Sequence, residues 1–124
     1  MDALSIKNIV RSSLVGLSLT ACASGPSVQP QLTQTAGAVR AAEEVGAQQL
    51  PPAALHLKLA HENLDHGKAL AEEDENEEAR RALERASIDA ELAIALVKED
   101  RAQKELDGVK SELQDLNTKH GPQQ

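Results

Sequence analysis

From about residue 35 onward, apolar and small side chains recur every three or four positions, the period of a helix face, and three segments separate at turn signals. The first segment begins at Thr33 or Thr35 and runs to Gln49, with Ala38, Ala42 and Val45 on one side and Glu43 and Glu44 beside them. Gly37 and Gly46 weaken it. Leu50-Pro51-Pro52 stops it, because a proline disfavours helix at the preceding residue but suits the first turn of the next helix. The second segment, 52–73, carries Ala53, Leu57, Ala60, Leu64, Gly67 and Ala71 as one small-residue stripe, widened by Leu55 and Leu59.

A run of acids from Glu72 to Glu78, interrupted only by Asn76, leads into the third and longest segment, 77–118. The run lacks the alternating spacing and central glycine of a calcium loop. Asp74 with Glu77 three residues later reads instead as a capping box, with the surrounding acids at the positive end of the helix dipole. At the other end, Lys119 and His120 suit the negative pole, and Gly121-Pro122 ends the helix.

Two stripes run along this third helix. One is Ala79, Leu83, Ala86, Ala90, Ala93 and Val97, which matches the second helix in length and in small side chains. The other keeps strict heptad spacing through Ile88, Leu92, Ala95, Leu106, Val109, Leu113 and Leu116, with Ala102 also in step and Glu99 the one charged member. Apolar on two sides between Ile88 and Val97, the helix is expected to lie between neighbours there. Its 42 residues span about 63 Å, against about 33 Å for the second helix, so roughly half of it needs another partner. Either the first helix continues past the proline pair and covers that half, or the distal stripe pairs with another chain. The pattern therefore predicts an all-α fold: an antiparallel helical hairpin or three-helix arrangement with a long C-terminal coiled-coil-like helix, over residues 35–118, with 119–124 a disordered tail.

The chain ahead of the helices changes that picture by adding a location. Lys7 and Arg11 precede an uncharged stretch, Ser12 to Ala21, that holds Leu14, Val15, Leu17 and Leu19, the positive n-region and short apolar h-region of a signal peptide. Ten helical residues reach about 15 Å, half of a roughly 30 Å hydrocarbon core, so this is no stable span. Small residues then lead to Cys22, the only cysteine of the chain, for which no intramolecular disulfide can compete. Leu19-Thr20-Ala21-Cys22 resembles the bacterial lipobox. That resemblance implies a signal peptide over 1–21, a lipid on Cys22 as the one covalent addition, and attachment made permanent by several acyl chains. An aspartate after the cysteine is the usual inner-membrane retention signal, and Ala23 stands there, which points to the inner leaflet of the outer membrane, facing the periplasm. Residues 22–34, with two prolines and no charge, read as a flexible tether reaching roughly 20 Å.

Composition narrows the chemistry. The formal charge is −7. Removing a leader with Asp2, Lys7 and Arg11 takes away one net positive charge and leaves −8. With no aromatic residue and no basic face, the chain lacks both the rings on which bases stack and the cations that neutralise phosphates, so nucleic acid is excluded as a partner. A core without Phe, Tyr or Trp is built from Leu, Val, Ile and many Ala, which bury little area each but allow close helix approach. His56, His61 and His66 are five apart, about 140° per step, and do not converge as metal ligands do. No nucleophile elbow or phosphate loop is present, and no cofactor or small-molecule substrate is indicated, so the chain is expected not to be an enzyme.

Residues 39–97 also resemble a domain-of-unknown-function family found in bacterial envelope lipoproteins. The residues that carry the likeness are Gly46-Ala47, Pro52, Leu57, Ala60, Leu64, Ala79-Arg80-Arg81, Ala86, Asp89-Ala90-Glu91 and Ala93. Leu50 stands where the family has an aromatic, and the acidic turn lacks the usual Gly-Asp. Two roles fit: a self-associating structural lipoprotein of the envelope, or a tethered helical adaptor that binds another envelope protein.

Overall fold

The computed structural model describes residues 27–121. Cys22, the preceding Leu19, Thr20 and Ala21, the start of the tether and the last three residues of the tail lie outside them. Among the described residues there are three α-helices and no strand: α1 Gln29–Glu44, α2 Pro51–Glu72 and α3 Asn76–Lys119, with a single 3₁₀ turn, Ala47–Gln49, between the first two.

The first helix starts earlier than its pattern suggests. Gln29 to Gln34, expected to be part of the tether, is helical, and Pro30 sits in the first turn, where its fixed φ suits the helix and its missing N–H costs nothing. Val28 is buried just ahead of it and Leu32 packs against the core, which ties this end down. The α-helix also ends earlier, at Glu44. Gly46 takes a left-handed φ of 84° and donates its N–H to the Glu43 carbonyl at 2.9 Å. The chain then turns through Ala47–Gln49 to an extended Leu50, from which Pro51 opens α2.

Three cross-contacts fix the direction of α1. Gln31 Nε2 donates to the Arg80 carbonyl at 3.1 Å, the Thr35 hydroxyl to the Leu83 carbonyl at 3.4 Å, and Arg101 Nη2 to the Val45 carbonyl at 2.7 Å. Thus α1 runs parallel to α3 along its N-terminal part. α2 runs antiparallel to both, through His61 Nε2 to Glu43 Oε1 at 2.9 Å and His56 Nδ1 to Asp89 Oδ1 at 2.9 Å. The result is an up-down-up bundle over the first half of α3, in which α1 doubles back over the half that α2 already covers and leaves the far half bare.

Buried positions follow the small-residue stripes: Val39 and Ala42 on α1, Ala53, Leu57, Ala60, Leu64 and Gly67 on α2, and Ala79, Leu83, Ala86, Ala90, Ala93 and Val97 on α3. Alanines let the helices approach, and the closest approach is at Gly67. A Cβ placed there would lie 2.8 Å from both Cγ and Cδ2 of Leu83. Leu83 itself has no exposed surface and carries much of a core that is otherwise thin.

The acidic turn is built differently from a capping box. Asp74 makes no side-chain cap, and α3 has none. Instead Asp74 adopts φ 62°, its N–H meets the Ala71 carbonyl at 3.4 Å, and the Glu75 N–H meets the Leu70 carbonyl at 2.9 Å. This is a Schellman closure of α2 with aspartate where glycine is usual. Aspartate tolerates the left-handed region better than most residues but not at glycine's cost. Asp74→Gly should therefore raise stability, by up to about 1 kcal/mol in chemical denaturation.

Candidate interaction surface

At about 100° per residue, two positions along a helix mean 200°, close to the opposite side. Ile88 is two positions from both Ala86 and Ala90, Leu92 two from Ala90, and Ala95 two from both Ala93 and Val97. Since those alanines and Val97 are buried in the bundle, the heptad stripe must face away from it. All three are exposed. The outer side of α3 between Ile88 and Val97, expected to meet a neighbour, meets none among the described residues, because α1 and α2 both pack on the other side.

The same line continues where the bundle stops. From Arg101 to Lys119 every residue of α3 is exposed, a projection of about 28 Å that carries Leu106, Val109, Leu113 and Leu116. With Ile88 and Leu92, these six large apolar side chains are between 40% and 58% exposed. Leu55 on α2 is exposed too but stands apart from the line. Isolated apolar residues on a surface need no explanation, whereas a row of them along one helix face does.

The projection stays helical for local reasons. Its nucleus is already formed inside the bundle, so each added residue only propagates the helix. Asp100 pairs with Lys104 at 2.7 Å and Asp107 with Lys110 at 3.8 Å, each worth a few tenths of a kcal/mol on an exposed face. Where α3 leaves the bundle, Arg101 meets the C-terminal end of α1, a cation at the negative pole of that helix dipole. A depression beside it, lined by Gly46, Gln49, Leu50, Val97 and Lys104, is small.

The three histidines of α2 go to different places. His56 goes to Asp89 on α3, His61 to Glu43 on α1, and His66 faces solvent. Among the described residues no group of three His, Cys, Asp or Glu side chains could hold a metal ion. Gly67, Thr35 and Arg101 were not singled out for their contacts by the sequence. Only a glycine within an alanine stripe hinted at the first, and nothing local marks a mid-helix threonine or a surface arginine as a link between helices.

The structure brings Ile88, Leu92, Ala95, Leu106, Val109, Leu113 and Leu116 onto one outer face, with Glu99 the charged residue among them; the lipobox residues Leu19, Thr20, Ala21 and Cys22 fall outside the described part. No curated protein and no solved structure matches the chain. A family profile does, over residues 30–109, which takes in the whole bundle and the first turns of the projection and extends the resemblance seen over 39–97 at both ends. The chain belongs to the family described as a domain of unknown function, DUF4398.

Proposed function

We propose that this chain is a non-enzymatic lipoprotein of the bacterial envelope, held by lipid on Cys22 at the inner leaflet of the outer membrane, whose bundle self-associates in the periplasm through the outer face of α3. The observation that carries the reading is the row of six half-exposed apolar side chains from Ile88 to Leu116, which no other part of the described chain covers. Location rests on Leu19-Thr20-Ala21-Cys22. Among the described residues no helix is long and apolar enough to cross a membrane, so a lipid would supply the anchor.

Magnitudes agree with such a division of labour. Burying the remaining exposed part of each of these side chains is worth about 1 kcal/mol, hence on the order of 10 kcal/mol for the two stripes of a pair. Association costs about 4–15 kcal/mol. Pairing in free solution is then concentration-dependent, and confinement to a membrane surface shifts it toward the assembled state by raising effective concentration. The function that follows is mechanical: spacing or stiffening the periplasmic side of the membrane.

Two tests separate the parts of this reading. Cys22→Ser should move the protein from the membrane fraction to the soluble periplasm; a variant that still sediments with membranes removes the lipid anchor from the account. Leu106→Lys with Leu113→Lys should lower the molar mass to that of a monomer while circular dichroism keeps the signal of the bundle helices. If helicity collapses instead, the distal stripe is packed within its own chain. A parent protein that is already monomeric would point to the adaptor role, with another envelope protein on the stripe.

A further inference from the structure

The self-association just proposed leaves open how two copies meet, and the charges beside the stripe decide it. In heptad register, Leu92, Glu99, Leu106 and Leu113 share one core position, and Ile88, Ala95, Ala102, Val109 and Leu116 share the other. Glu91, Lys98, Glu105, Glu112 and Lys119 flank the first set, all exposed. None of them makes an ion pair with another described residue of its own chain.

We propose that the occupant of this face is a second copy of the chain, running antiparallel and centred near Lys104, so that the projecting half of each α3 lies across the outer face of its partner's bundle. Antiparallel helices pair the two core positions with each other, and a centre at 104 sets Leu116 against Leu92, Leu113 against Ala95 and Leu106 against Ala102 of the second copy. Leu113 and Leu106 thereby meet alanines, Leu116 meets a leucine, and Val109 lies against Glu99, the one charged member of the stripe. The flanking groups that come together are Glu91 with Lys119 and Lys98 with Glu112, twice each by symmetry, and only Glu105 meets its own copy.

The competing arrangements fit less well. A parallel, in-register pair sets Glu105 against Lys110 but leaves Lys98 and Glu112 against the uncharged Gln103 and Asn117 and stacks Glu99 on Glu99 inside the seam, whereas the antiparallel pair keeps the two Glu99 side chains apart, each against Val109. Sliding the antiparallel pair half a heptad toward the bundles pairs Lys98 with Glu105 but sets Leu116 against Arg85 and brings Glu91 against Glu112 twice. Sliding it the other way brings Glu105 against Glu112 and Lys98 against Lys119. Steric access favours the proposed form as well, because α1 and α2 both lie on the far side of α3 and the two bundles end up at opposite ends of the pair.

Orientation is read by cysteine crosslinking of the full chain in a Cys22→Ser background, where an introduced thiol is the only one. A disulfide needs Cα atoms within about 7 Å. A tagged Ala95→Cys chain mixed with an untagged Leu113→Cys chain should give a mixed disulfide dimer on oxidation, while each variant alone gives none. Lys98→Glu should weaken association roughly tenfold at low salt, and adding Glu112→Lys to it should restore association, a rescue a parallel pair would not show. A dimer by sedimentation in which Leu113→Cys links to itself, or in which the mixed pair fails to form, overturns this geometry and leaves self-association standing. A monomer at all concentrations overturns both.

Discussion

Leu83→Ala should destabilise the bundle by about 2–5 kcal/mol. Leu83 has no exposed surface, touches α2 at Gly67 and offers its carbonyl to Thr35 of α1, so it sits where all three helices meet. Most other buried side chains are alanines or glycine, which have no spare length with which to fill the space it vacates. For a domain of this size such a loss lowers the melting temperature by roughly 10–20 °C or more, taking about 4–8 °C per kcal/mol. Thermal and denaturant unfolding followed by circular dichroism will show it; a loss under 1 kcal/mol would mean that the helices collapse onto the cavity and that the core is looser than its spacing implies.

The second large effect has a sign that sequence rules alone would get wrong. Glycine inside a helix is ordinarily worse than alanine by about 0.5–1 kcal/mol, so Gly67→Ala looks like a stabilising change. At Gly67, however, the new methyl carbon would lie 2.8 Å from two carbons of Leu83, whose side chain is fully buried and would have to shift. Overpacking of this kind costs about 1–3 kcal/mol, which outweighs the propensity gain and leaves a net loss. Gly37 on α1 supplies the comparison, since nothing stands within 4 Å of its would-be Cβ, and Gly37→Ala should stabilise by up to about 1 kcal/mol. The two core residues are also coupled: in a Leu83→Ala background the clash is gone, and Gly67→Ala should become neutral or stabilising. Additive losses in that double variant would show that Gly67 is not the point of closest approach.

Much of this architecture was legible because α3 announces two faces by spacing alone. Its Ala79-to-Val97 stripe matches α2 in length and size, and both stripes are buried as that match requires; the heptad stripe lies two residues out of step and is exposed. The three helices and the break at Leu50-Pro51-Pro52 could be read for the same reason, since period and proline chemistry act locally. The course of α1 could not. A proline pair is compatible with a kinked continuation or with a reversal, and the choice falls to Gly46, whose φ of 84° turns the chain back. Comparing the lengths of α2 and α3 showed that half of α3 lacked cover but not where α1 would go, because docking depends on Gln31, Thr35 and Arg101 finding partners about 50 residues away.

Pro30 and Asp74 misled in a different way. Each belongs to two local vocabularies: proline to tethers and to first helical turns, aspartate to N-caps and, less often, to left-handed closures. At Pro30 burial of Val28 decides for the helix. At Asp74 the hydrogen bonds that close α2 decide for the left-handed conformation, with φ 62°. The outer stripe, by contrast, was visible in the sequence in every residue, and what the fold adds is its direction, away from the bundle and along a projection that nothing in the described chain shields.

The central claim is that this stripe is an interface between copies. Sedimentation of the full chain carrying Cys22→Ser, over a concentration series and beside the same chain with Leu106→Lys and Leu113→Lys, tests it most directly. The account predicts a reversible dimer for the first and a monomer of unchanged bundle helicity for the second. A parent chain that stays monomeric across the series, with α3 helical to its end, would contradict it.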